Sequence, residues 1–179
     1  MVKCTLSERL FVKTLHNAQL WSNIMYVISA IVALIGRKWD LAVCGFIISI
    51  ISTLHHQFNY VDATCVQNYH HKPYHFLSTL DVVLANILSI YSLYTIWNLY
   101  RQGKTLNRII IGFCIICSIT AIAFFIVSSY YEKLAVKLSK KGKIDSQLYL
   151  KNAGLYEFYH GYWHIFSGIS FGLIVTLHS

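Results

Sequence analysis

Charge is what this chain has least of. Asp, Glu, Lys and Arg make up only 12% of its 179 residues, against 56% hydrophobic, and the mean hydropathy is +0.51. A soluble domain of this size cannot clothe its surface with so few charges, so that class is excluded and lipid is the expected solvent. Acidic residues are scarcer still, 7 against 15 Lys plus Arg, leaving a net charge of +8. Proline occurs once, at Pro73 in a polar stretch, so no apolar run is interrupted by one. The sequence has no Gly- or Ser-rich linker and no repeat of fixed period, which argues against a second domain and against a solenoid. A single transmembrane domain over residues 1–179 is expected. No cleavable signal peptide is apparent, because the first long apolar run starts only near Ala18 and lacks a small-residue cleavage site. That run is expected to remain as the first helix.

Long apolar runs are what the chain has in their place. Crossing a hydrocarbon layer of ~30 Å takes roughly 20 mainly apolar residues. Five runs qualify, at 18–36, 40–58, 76–100, 106–130 and 157–178, with Arg101-Gln102-Gly103-Lys104 parting the third from the fourth. The fold class expected is therefore all-α, a polytopic transmembrane helix bundle of about five spans.

An odd number of spans sets the termini on opposite sides and assigns each connection to a face. The amino terminus and residues 59–75 and 131–156 share one face, with Lys3, Arg9, Lys13, Lys72, Lys133, Lys137, Lys140, Lys141, Lys143 and Lys151. The opposite face has Arg37, Lys38, Arg101, Lys104 and Arg108. Positive charge marks the cytoplasmic side, so the first face is expected there, in contact with anionic lipid headgroups. Nucleic acid is not an expected partner, because the basic residues are divided between both faces instead of gathered on one. Between the fourth and fifth spans, YYEKLAVKLSKKGKID alternates apolar and basic residues. It fits either an amphipathic helix lying along the headgroups or a solvated basic loop. Of the five cysteines, Cys4, Cys44, Cys65, Cys114 and Cys117, the last two form a C-x-x-C inside an apolar run, where thiols pack more often than they ligate.

Ionisable groups within the apolar layer are costly and so are functional candidates. In the second run, Ser49, Ser52, His56 and Asn59 follow spacings of three, four and three and share one helical stripe, with His55 pointing about 100° away. In the third, Ser78, Asp81, Ala85 and Ser89 make a small polar stripe. The fifth opens with Glu157, His160 and His164 on one face, Ser167 continuing it, and an H-x-x-x-H pair on a helix can chelate one metal ion.

Topology adds what spacing alone does not. His56 falls near the end of the second span, Asp81 near the start of the third, and His160 and His164 near the start of the fifth, so all are expected at one depth near the first face. Three imidazoles beside a carboxylate match a catalytic zinc site, with three protein ligands and a fourth position for water. Blander accounts exist singly: Asp81 paired with a Lys, Ser52 bonded back to the carbonyl one turn earlier, interfacial His bonded to headgroups. Together they leave the shared depth of three helices unexplained.

The ordered set Ser52-x-x-x-His56, Asp81 and His160-x-x-x-His164 resembles the CREST superfamily of membrane proteins. That group takes in alkaline ceramidases, progestin and adipoQ receptors, haemolysin-III-like proteins and the family of myomaker. The run His-Gly-Tyr-Trp-His-Ile at 160–165 is most similar to alkaline ceramidases. The resemblance implies zinc held by His56, His160 and His164, with Asp81 and Ser52 as catalytic residues beside its water. It also implies a membrane lipid as substrate, since the family's characterised enzymes are hydrolases of lipid amides. Family members have seven helices, so this chain would be a reduced form, lacking two between the fourth and the last. Alkaline ceramidases also bear an acidic calcium-binding region before the first helix. Here Glu8 is the only carboxylate there, so calcium is not expected and ceramide in particular is less well supported. Two other functions fit the same residues: a non-catalytic protein whose zinc ties helices together, with Glu157 or His55 as fourth ligand, and a small channel or transporter whose polar stripes line a water path.

Overall fold

Runs of Leu, Ile, Val and Ala coiled into helices satisfy every backbone donor and acceptor within the segment, which is what lipid demands of a chain that does not close into a barrel. The computed structural model has that architecture. It describes residues 6–61, 66–67, 72–103, 107–143 and 146–177, with side chains for 10–57, 76–103, 107–143 and 146–177. Six helices follow in order: α1 (Leu6–Ser22), α2 (Ile24–Ile35), α3 (Trp39–Asn59), α4 (Lys72–Arg101), α5 (Arg108–Ser139) and α6 (Gln147–Thr176). The first two are one rod that tightens for a turn at Asn23, whose N–H bonds the Leu20 carbonyl while its own carbonyl accepts from Tyr26 N–H. The bundle therefore has five rods and is all-α. Its one ladder among the described residues joins two-residue strands in the α3–α4 connection, β1 (Tyr60–Val61) and β2 (Val66–Gln67), paired antiparallel.

Leu10–Ile35, Trp39–Gln57, Phe76–Arg101 and Arg108–Ser139 are each long and apolar enough to cross a membrane, which makes this an integral membrane protein. The exterior agrees. Isoleucines 28, 31, 47, 50, 87, 90, 116, 119, 122 and 126 all point outward, an arrangement that water would penalise and lipid accepts. Small residues face inward, Ala30 and Ala33 on α2 being wholly buried. At Gly168 of α6 a Cβ would stand 2.6 Å from that of Met25, so only glycine permits the approach of α2 and α6. The fifth rod, α6, is not among the four most apolar helices, because Glu157, His160, His164 and several tyrosines lie along it up to its middle. It sits at the centre instead, packed on α1, α2 and α5 and buried at intervals from Tyr149 to Val175. Its Glu157, His160 and His164 are buried against protein.

Three helix boundaries depart from expectation, and for one reason. The first rod begins at Leu6 and not near 18, the fourth ends at Ser139 and not near 130, and the last begins at Gln147 and not at 157. Hydropathy marks where a helix is immersed, whereas helicity needs only a face to bury. The extensions bury theirs on one another, in a cluster of Val12, Ala135, Tyr149, Leu150 and Ala153. The basic stretch after Tyr130 continues α5 as far as Ser139, with Lys133 and Lys137 exposed, and residues 140–143 form a turn beyond it. Ser146 starts α6 by accepting a hydrogen bond from Tyr149 N–H at 3.2 Å, and Asn107 starts α5 by accepting from Ile109 N–H at 3.0 Å. Pro73 occupies the first turn of α4, where its missing N–H costs nothing. Cys114 and Cys117 are buried, Cys114 Sγ lying 3.3 Å from Ser170 Oγ. Lys3, Cys4, Cys65 and Lys104 lie outside the described residues, as does the side chain of Asn59.

Candidate metal centre

Ser49, Ser52 and His56 share the inward face of α3, and all three are buried. Ser49 Oγ donates to the Asn23 carbonyl at 3.4 Å, which seats α3 against the α1–α2 bend. On α4, Asp81 is 3% exposed. Ser89, two turns further, is exposed and bonds back to the Ala85 carbonyl, so the small polar stripe of α4 reaches inward only at its Asp81 end. On α6, Glu157, His160 and His164 are buried together. Because α6 starts at Gln147, the two histidines lie near its middle and not near its beginning. The shared depth persists, since α1 and α6 simply continue past the site on the side where α3 ends and α4 begins.

The imidazoles of His56, His160 and His164 meet there. One nitrogen from each lies within 4.8 Å of the others, and His56 Nε2 and His164 Nε2 are 3.1 Å apart. Ring centroids are 4.9 Å apart for His56 and His160 and 4.8 Å for His160 and His164. Ser52 Oγ lies 3.5 Å from both Asp81 Oδ2 and His164 Nε2, so it links the acid to the histidines and does not turn back on its own helix. No Lys or Arg among the described residues pairs with Asp81. The five residues singled out in the sequence, Ser52, His56, Asp81, His160 and His164, thus form one contiguous group. Tyr26, Tyr156 and Trp163 wall it in, Trp163 stacking within 4.7 Å of His160 and 4.6 Å of His164 between ring centres.

A buried cluster of this kind can hold a metal ion. His160 Nε2 is buried with no hydrogen-bond partner, a cost of about 1–3 kcal/mol for a neutral group left so, and a cation offers its lone pair a partner. Two ligands of a tetrahedral ion at ~2.0–2.1 Å stand roughly 3.3 Å apart, close to the observed His56–His164 separation of 3.1 Å.

Other residues complete the surroundings. His55 does not point away from the site: it is 3% exposed, its ring centroid is 4.6 Å from that of His56, and His55, His56 and Asp81 form a second group with donor atoms within 4.8 Å. Glu157 bonds His16 Nδ1 of α1 at 3.2 Å. That helix was missed as a contributor. His16, Gln19 and Asn23 are buried at spacings of three and four, and Gln19 Nε2 approaches His56 Nε2 at 3.5 Å. The spacing was legible in the sequence, but the first apolar run begins at Ala18 and cuts through it.

Towards the opposite face the group adjoins a cavity of about 360 Å³ between α4 and α5, lined by Tyr26, Leu88, Ile122, Trp163, Ser167 and Phe171. Fold and site together define an all-helical membrane protein with an enclosed histidine cluster suited to a metal ion. No protein-family model, no curated protein and no solved structure matches the chain.

Proposed function

We propose that this chain is a zinc-dependent intramembrane hydrolase of a lipid amide bond, a five-helix relative of the CREST proteins and ceramidase-like in its chemistry. One observation carries the reading: His56, His160 and His164 converge with Ser52 and Asp81 in a single buried group. Three neutral imidazoles suit zinc and leave a position for reactants. When bound there, zinc supplies Lewis-acid polarisation of an acyl carbonyl and a water acidified toward pKa ~7.

The chain's own groups do the rest. Asp81 would take up a proton from the attacking water and pass it to the leaving nitrogen. Ser52 Oγ, within reach of both Asp81 and His164, donates a hydrogen bond to the charge developing on the carbonyl oxygen. Tyr26, Tyr156 and Trp163 keep bulk water away, which strengthens both interactions. The cavity beyond Tyr26 and Trp163, with walls of Leu88, Ile122 and Phe171, suits an acyl chain. The amino terminus and the site belong on the cytoplasmic side by the excess of lysine there, and anionic headgroups meet the exposed Lys133, Lys137, Lys140 and Lys141.

His55 favours a second reading. Buried beside His56 and Asp81, it is a candidate to close the coordination shell, as a structural zinc tying α3 to α6 would require. Elemental analysis of purified protein, paired with incubation on a panel of N-acyl lipids, separates the two. Wild type is expected to carry one zinc per chain and to release fatty acid. His160→Ala loses both, while Asp81→Asn keeps zinc and loses turnover by at least about a hundredfold. Zinc without turnover selects the structural reading; wild type without stoichiometric zinc ends both.

A further inference from the structure

Gln19 is wholly buried on α1, in a wall otherwise made of His56 and α6. Its amide is half used. Nε2 donates to His56 Nε2 at 3.5 Å, and Oε1, buried, has no partner. Gly161 of α6 faces this turn of α1, where a Cβ would meet Gln19 Cα at an ordinary contact distance of 3.5 Å. The side chain lies against the site. The nitrogen it donates to is also the one that faces His164 Nε2 at 3.1 Å. A cation between those two imidazoles takes the lone pair that Gln19 uses, and both ends of the amide are then open to whatever occupies the site.

A carboxamide offers one donor and one acceptor side by side. A trans secondary amide turns its N–H and its carbonyl in opposite directions, so Gln19 meets one of them at a time, and the N–H that Oε1 can accept from is a donor that a carboxylic ester lacks. We infer that Gln19 reads the scissile group, its Oε1 accepting from the substrate's N–H, so that the site selects N-acyl over O-acyl lipids. The inference rests on the amide-hydrolase reading for its substrate class but adds a residue that the five-position motif does not contain. An ester would leave Oε1 buried and unsatisfied, and sites built around a hydrogen bond to substrate N–H or O–H reject analogues lacking it far more strongly than apolar pockets reject a misfit.

The test measures equilibrium binding, so that it does not depend on turnover. Full-length protein in detergent micelles, loaded with zinc and carrying Asp81→Asn so that ligands persist, is titrated with N-dodecanoylethanolamine and with its ester counterpart, ethylene glycol monododecanoate. The amide is expected to bind at least about tenfold tighter. In Gln19→Met, which keeps length and volume without hydrogen-bonding groups, the preference falls to within about twofold. Gln19→Leu serves the same purpose should the Met variant lose its zinc. Equal affinity for the two ligands before substitution, or a preference that survives it, overturns the inference. A preference that depends on Gln19 in a protein with no hydrolytic activity would sustain it while removing the hydrolase reading.

Discussion

Among the described residues, His16 and Glu157 are the acid–base pair buried between α1 and α6, 5% and 0% exposed at their side chains and 3.2 Å apart. An intramembrane carboxylate is costly unless a partner shares its charge, and removing one member of a buried pair commonly costs about 3–5 kcal/mol, whereas replacing both by apolar groups is often neutral. His16→Phe should therefore melt well below wild type in micelles. The double variant His16→Phe with Glu157→Leu should recover most of the loss. A double variant no more stable than the single one would mean that the pair has another role, such as carrying protons. At this scale the sequence was informative where spacing sufficed: Ser52, His56, Asp81, His160 and His164 were all identifiable from helical period and topology. It was silent where partnership decides. Nothing along the chain distinguishes Glu157 as His16's partner from Glu157 as a ligand, and His55, a turn-angle away from His56, comes to lie beside it only through how α3 meets α4.

Among the elements, α6 depends most on close approach. Gly168→Val should lower the melting temperature, because its first added carbon already falls 2.6 Å from Met25 Cβ and overpacking of this sort costs about 1–3 kcal/mol. Gly112→Ala on α5, where an added Cβ meets nothing within 4 Å, should instead be neutral or stabilising. Equal losses from the two would show that α2 and α6 do not depend on this contact. Helix number and order were legible because lipid immersion writes itself in hydropathy. The ends were not, since residues 6–17, 131–139 and 147–156 are helical through mutual packing around Tyr149 and Leu150 and carry too many polar groups to register as membrane spans. Ser146, the residue that caps α6, is the local signal that would have placed its start.

For the whole molecule, the four long apolar helices and the outward isoleucines describe a protein embedded in lipid, and the proposed orientation makes a prediction at its two ends. Lys141→Cys and Arg101→Cys, each in a background without the five native cysteines, should react with a membrane-impermeant maleimide from opposite sides, Lys141→Cys from the cytoplasmic one. Labelling of both from the same side would contradict a five-rod path. The arrangement also leaves α4 at the margin: it packs chiefly on α3, barely touches α6, and is clasped near its far end by the Tyr91 hydroxyl on Asp40. Two of the three imidazoles belong to α6 and the third to α3, but the carboxylate rides on that outlying rod. A small tilt about the clasp would swing Asp81 aside while the histidines kept their places, so the acid and the three imidazoles are held by separate parts of the bundle and can part company without either being lost.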